Sequence, residues 1–346
     1  MFLFTNVAIT GQELGLKDYT PPYLAPSTGG PLVLRGVNYA SGGGGILNET
    51  GMIFGGRINL DAQLDNFANT RQDIISRIGF NAAQKLLNGA LFSVTIGSND
   101  FINNYLTPIL STFEQNIVPP EAFVGTLITR FRLQLIIHST IQSPLALEPL
   151  TVTTPPPTAP SGRALDQEDI QSKKEWFKDW FDHISSENDE DESDFDDNPT
   201  YLKRRFSEIV VPNVGPIGCI PYQRDINPSA GDNCVALPNH LAQLYNFQLK
   251  SLLKDLTIQL KGSSFLFADV YNIVTDIIQN FQSYGFDNGN SVCCYLSGQH
   301  GGLIPCGPAS KVCADRSKYA FSDPYHPSDA TKYKHYHNHT FNGWRP

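Results

Sequence analysis

The chain has 346 residues, 40% hydrophobic and 17% charged, enough for one large α/β domain or two smaller ones with a sizeable core. Its formal net charge of −9 and pI near 5.3 exclude nucleic acid and an anionic membrane surface as partners, because both demand clustered Lys and Arg. No run reaches the apolar length of a transmembrane helix.

The opening MFLFTNVAIT lacks the charged start and long apolar centre of a signal peptide, which by itself predicts a cytosolic chain. PLVLRGVNYA at 31–40 predicts a buried strand running into a loop of four glycines, Gly42 to Gly45. Over 60–88, Leu64, Phe67, Ile74, Ile75 and Ile78 recur near helical spacing and predict one amphipathic helix. ALFSVTIG at 90–97 is nearly unbroken apolar sequence, as in a strand covered on both faces, and it ends in Gly97, Ser98, Asn99 and Asp100. Val124, Leu127, Ile128, Phe131 and Leu135 mark the next helix.

From 138 to 207 the character changes to a Pro-rich run and then the acidic SSENDEDESDFDDNP at 185–199. Such composition predicts a disordered insert between two parts of one domain, 1–137 and 208–330. Within it KKEWFKDWFDHI at 173–184 carries an aromatic stripe, which reads as an incidental amphipathic turn rather than a partner-binding helix. The regular pattern resumes with a strand in EIVVPNVGPIG, a helix over 238–260, a strand in SFLFADV at 264–270, and a helix marked by Val270, Ile273, Val274, Ile277, Ile278 and Phe281. Strands alternating with amphipathic helices are the signature of a parallel sheet covered on both sides.

Residues 331–346 form an atypical tail without helical periodicity. Its His335, His337 and His339 would face one way on a strand, but no carboxylate or cysteine stands near them at a ligand-like spacing, so no metal site is expected. The six cysteines (Cys219, Cys234, Cys293, Cys294, Cys306 and Cys313) are even in number and contain no C-x-x-C pair, which predicts a disulfide framework of open connectivity. Disulfides belong to oxidising compartments, and the glycosylation acceptor Asn48-Glu49-Thr50 points the same way.

The chemistry centres on FSDPYHPSDA at 321–330, where Asp323 and His326 stand three residues apart. An imidazole works as a general base near neutral pH when a carboxylate fixes its tautomer and stabilises its cation. Pro324 and Pro327 limit the freedom of the turn that would hold the pair. A tetrahedral oxyanion needs donors aimed at it, and a Gly backbone N–H with an Asn side-chain amide supplies them; Gly42 and Asn99 are the candidates. For Asn99 the competing structural role is a helix N-cap.

These stretches, with VPNVGPIGCIPYQR at 211–224, resemble conserved blocks of the plant GDSL esterase/lipase family, a branch of the SGNH hydrolases. The resemblance runs in order through 10–137 and 209–325. It implies a flavodoxin-like three-layer α/β sandwich with a parallel sheet, hydrolysis of carboxylic esters of acyl or lipid type, no cofactor, a monomer, and secretion. It assigns the base to His326, its orientation to Asp323, and the oxyanion hole to Asn99 and one of Gly42 to Gly45, with Gly42 preferred. The family's nucleophile is the Ser of a Gly-Asp-Ser motif on the first strand, and no such triplet occurs in this sequence. The expectation is therefore an N-terminally truncated member with its first strand missing, inactive for want of the serine; the alternative is a non-catalytic relic or an acyl-ligand-binding protein. Ser41 lies on the hole's own loop and is not expected to substitute, while MFLFTNVAI at 1–9 has the apolar character to fill the strand's place.

Overall fold

The computed structural model describes residues 20–107, 118–142 and 207–332. These belong to the first of two compact units, Met1–Ser143 with Arg204–Pro346. The expectations for 1–9, for the aromatic stripe at 173–184 and for the histidine tail all lie outside the described residues, as does the expected insert apart from its two ends.

The apolar run at 31–40 is not a strand. It forms a 3-10 helix, Gly30–Arg35, followed by a single bridge between Pro22 and Asn38. Pro31 explains the difference, since its fixed φ suits the first turn of a helix and it has no N–H to give a ladder. The helix expected over 60–88 is two helices, α1 at Leu60–Ile78 and α2 at Phe80–Asn88. Gly79 separates them with φ 78° and ψ 162°, a conformation outside the helix that costs a glycine little. Asn59 caps α1 by accepting from the Ala62 N–H, and α1 buries Leu64, Phe67 and Ile74 on its inner face.

Strand β1 is Leu91–Ser93, and α3 is Pro120–Gln142. Helix α3 buries Val124, Leu127, Phe131 and Leu135 along the expected stripe. It runs on through 138–142, the first residues of the stretch that composition marks off, with His138, Ser139, Ile141 and Gln142 all buried. Next come β2 at Ser207–Pro212, the short α4 at Pro221–Ile226, α5 at Ala236–Gln259, β3 at Ser263–Ala268 and α6 at Val270–Gln279.

The strands β1, β2 and β3 form a parallel sheet in that order, with Phe92 opposite Ile209 and Ile209 opposite Phe265. Parallel neighbours need a crossover on a sheet face, and α3 and α5 provide the two crossovers. Their stripes meet the sheet in one core that holds Phe131, Leu135, Ile209, Leu241, Tyr245, Leu249 and Phe265. This is the α/β fold that the alternation of strands and helices predicts.

The remaining strands lie outside the main sheet and lead into the Asp323–His326 turn. They are β4 at Asn288–Val292, β5 at Cys294–Tyr295, β6 at Lys311–Val312 and β7 at Tyr319–Phe321. β4 pairs with β7 in parallel, and β5 pairs with β6 antiparallel. Three disulfides join Cys219 to Cys234, Cys293 to Cys313 and Cys294 to Cys306, which resolves the connectivity of the expected framework. Each closes a loop of 12 to 20 residues and so removes entropy from the unfolded chain.

Candidate active site

Directly after β7 the chain turns at Ser322 to His326. The Ser322 N–H donates to the His326 carbonyl at 3.0 Å, and Phe321 bridges Pro327, so the turn is closed at its base. Within it the Asp323 carboxylate accepts the N–H groups of Tyr325 (2.9 Å) and His326 (3.0 Å), and both its oxygens lie 2.9 Å from His326 Nδ1. A short polar side chain capturing the N–H two residues on is what makes Asp a turn former. Here the same carboxylate also orients a ring.

Asp323 is buried, at 5% exposure, while the His326 side chain is 46% exposed. Burial works to raise the Asp323 carboxyl, but the hydrogen bond and charge of His326 and the two backbone N–H groups outweigh it and hold the group below its usual range. With Nδ1 committed to an ionised partner, Nε2 is the nitrogen left to face solvent, which is the arrangement of a general base. The Tyr222 N–H on α4 donates to the Pro324 carbonyl at 3.0 Å, and the Tyr222 and Tyr325 rings lie 4.9 Å apart. The turn therefore rests on the segment that follows the carboxyl end of β2.

The candidate oxyanion residues follow the carboxyl end of β1. Gly97 opens a single helical turn, Ser98–Asp100, so Asn99 is not the N-cap but the second residue of that turn. Its Nδ2 donates to the Gly44 carbonyl at 2.9 Å, and its Oδ1 accepts from Asn103 Nδ2 at 2.9 Å. Asp100, wholly buried, accepts from the N–H groups of Ile46 (2.9 Å) and Leu47 (3.0 Å) and from the Thr50 hydroxyl (2.7 Å). Burial pushes its carboxyl up to about 6 against the lowering effect of those three donors. Gln134 of α3 completes the grip by donating to the Ile46 carbonyl at 2.9 Å.

The structure thus brings the glycine loop and Asn99 together, as it does Asp323 and His326. A Cβ on Gly45 would lie 2.4 Å from Thr50 Cγ2 and 2.6 Å from an Asp100 oxygen, so that glycine is needed for close approach. Gly42, by contrast, is exposed at the tip of the loop. The functions of Asp100, Gln134 and Asn103 were not visible in the sequence, although Asp100 lies inside the quoted motif; its signal was a carboxylate followed at once by the apolar pair Phe101-Ile102. Among the described residues no group of three His, Cys, Asp or Glu side chains is arranged to hold a metal ion, and no helix is long and apolar enough to cross a membrane.

Comparison with known proteins decides the family. One GDSL esterase/lipase of Arabidopsis thaliana is 48% identical over 331 residues, covering 94% of this chain and 73% of its own. The chain belongs to the GDSL esterase/lipase family. Two further GDSL esterase/lipases of the same plant are each 39% identical, over 323 and 333 residues, covering 93% and 94% of this chain and 67% and 72% of their own. The family model described as GDSL-like Lipase/Acylhydrolase matches residues 166–335, a span that starts inside the compositionally odd stretch and ends beyond the Asp323–His326 turn. As a GDSL esterase/lipase, the chain is a plant-type ester hydrolase by family, with a small-molecule ester as the class of substrate.

Proposed function

We propose that this chain carries the acid–base and oxyanion-binding parts of a GDSL ester hydrolase, with His326 as the base, Asp323 as its orienting carboxylate, and Asn99 and Gly42 as oxyanion donors. The observation that carries the proposal is the buried Asp323 carboxylate holding Nδ1 of an exposed imidazole. In the reaction His326 Nε2 takes the proton of the attacking hydroxyl and returns it to the leaving alcohol, and Asp323 stabilises the cation formed between these steps. Asn99 uses one amide proton on Gly44 and has a second for the oxyanion. The substrate is an acyl or lipid ester, and the protein acts as a monomer.

No Gly-Asp-Ser triplet occurs in the 346 residues, so the proposal for this polypeptide by itself is hydrolysis at or near background. A triad without one member keeps only a residual effect, on the order of 10³–10⁴ over water, from the hole and binding. A fluorophosphonate, which mimics an ester and captures an activated serine, tests this. The expected outcome is no labelling above that of the His326→Ala variant. Stoichiometric labelling that the variant abolishes overturns the proposal and reveals a nucleophile elsewhere in the chain.

A further inference from the structure

His300 lies outside the site just described, and it is 3% exposed. Both its ring nitrogens face carboxylates: Nδ1 is 2.8 Å from Asp225 Oδ1 and Nε2 is 3.0 Å from Asp232 Oδ1. The ring is thus held at both nitrogens by carboxylates of the preceding segment. The His300 backbone N–H also donates to Asp225 at 2.9 Å, as does the Gly302 N–H at 2.6 Å. The neighbouring groups are Arg224 on α4, whose Nη1 donates to the Asp232 carbonyl, and Asn290 on β4, whose Nδ2 lies 3.3 Å from Asp232 Oδ1.

We propose that His300, gripped by Asp225, is a positioning residue for the Asp323–His326 turn, joining the two supports on which that turn rests. The inference rests on the reading of Asp323 and His326 as the catalytic pair. The first support is α4. It carries Asp225, and its Tyr222 N–H and ring hold Pro324 and Tyr325. Gly302 lies so close to this helix that a Cβ there would be 2.3 Å from the Pro221 carbonyl oxygen, so the loop seats directly on α4.

The second support is the strand beside β7. The Val292 N–H donates to the His300 carbonyl at 3.0 Å, and the next two N–H groups, of Cys293 and Cys294, donate to the carbonyls of Phe321 (3.0 Å) and Ser322 (2.9 Å), immediately before Asp323. His300 therefore holds α4 through its ring and N–H and holds the β4 end through its carbonyl. Covalent cross-links do not duplicate this. One disulfide stays within 219–234 and the other two within 293–313, so none joins the segment bearing Asp225 to the segment bearing His300. The Asp225–His300 pair, with the Gly302 N–H on the same carboxylate, is a buried polar link between two separately stapled pieces, and the turn sits on both.

The test reads the turn and not turnover, so an inactive Asp323–His326 pair leaves the result interpretable. Amide hydrogen exchange is followed in the full chain at Tyr325 and His326, whose N–H groups bond Asp323, and at Tyr222, with Ile209 and Phe265 in the main sheet as reference. In His300→Gln and in Asp225→Asn the three turn amides are expected to exchange about tenfold faster or more, the loss of one hydrogen bond to a charged group, while the reference amides hold their rates. The two variants combined are expected to fall short of the sum of the single effects, because both remove the ring–carboxylate contact, while only Asp225→Asn also weakens the acceptor of the His300 and Gly302 N–H groups. The diethylpyrocarbonate modification rate of His326 should shift with the same variants.

Unchanged turn amides in folded variants overturn the proposal, and so does equal acceleration at Ile209 and Phe265, which would make His300 a general stability residue. Where the buried variants do not fold, Asp232→Ala decides, because its side chain is 75% exposed and its loss takes only one of the two carboxylates from the ring. A smaller acceleration confined to the same amides supports the positioning role, and none contradicts it.

Discussion

The Asp100 carboxylate accepts a 2.7 Å hydrogen bond from the hydroxyl of Thr50, a residue fifty positions earlier in the chain. With the Ile46 and Leu47 N–H groups on its two oxygens, it fixes the glycine loop from below while neighbouring Asn99 holds the loop's Gly44 carbonyl. Asp100→Asn would turn an amide N–H toward one of three donors in a dry site. The expected cost at neutral pH is several kcal/mol, roughly 3 or more, read as a fall in the urea midpoint. Thr50→Val, which removes one donor, should cost less, about 2 kcal/mol.

Two buried groups give the stability curve opposing slopes. His138 stacks 5.1 Å from the Phe67 ring and stands edge-on, 4.6 Å, to Phe92, and burial lowers its pKa to about 4. A depressed folded value means that its contribution is present above the unfolded pKa of about 6.5 and is lost as pH falls toward about 4. Asp100, raised to about 6, contributes in the opposite sense: its stability is present below the ordinary carboxyl range and is lost as pH rises through about 6. Each is worth roughly 3 kcal/mol over its window, so the two offset between pH ~4 and ~6. His138→Phe removes one of them and also the unpartnered Nδ1. Its stability relative to the unmodified chain should rise by roughly 3 kcal/mol as pH falls from 6.5 to 4, measured by urea unfolding at each pH. A constant difference across that range would show that His138 titrates normally.

The pair Cys293–Cys313 closes a 20-residue loop beside the Asp323–His326 turn, since the Cys293 N–H bonds the Phe321 carbonyl. Replacing both cysteines by Ala should cost roughly 3 kcal/mol under oxidising conditions, seen in the urea midpoint, and close to nothing once all disulfides are reduced, because both proteins then lack the cross-link.

What the sequence disclosed follows the range of the interactions involved. The stripes of α3 and α5 are periodic within a few residues, so Phe131, Leu135, Leu241 and Leu249 could be placed in the core directly. Asp323 and His326 were legible for the same reason: their partnership spans three positions and a turn that Asp and Pro favour. The strand at 31–40 failed because apolar content alone does not separate a strand from a short helix, and Pro31 was the clue against it. The break at Gly79 was hidden by apolar residues that keep helical spacing on both sides of it. Asp100 with Ile46, and Asp225 with His300, are 54 and 75 positions apart, and no local pattern marks a carboxylate whose donors arrive only with the fold.

The decisive measurement is hydrolysis of a short-chain nitrophenyl ester by the purified 346-residue chain beside its His326→Ala variant. The prediction is turnover at or near background, with little difference between the two proteins, because the proposed base and oxyanion donors find no Gly-Asp-Ser serine in the 346 residues. Robust turnover that the substitution abolishes would contradict the account and place a working nucleophile within reach of His326.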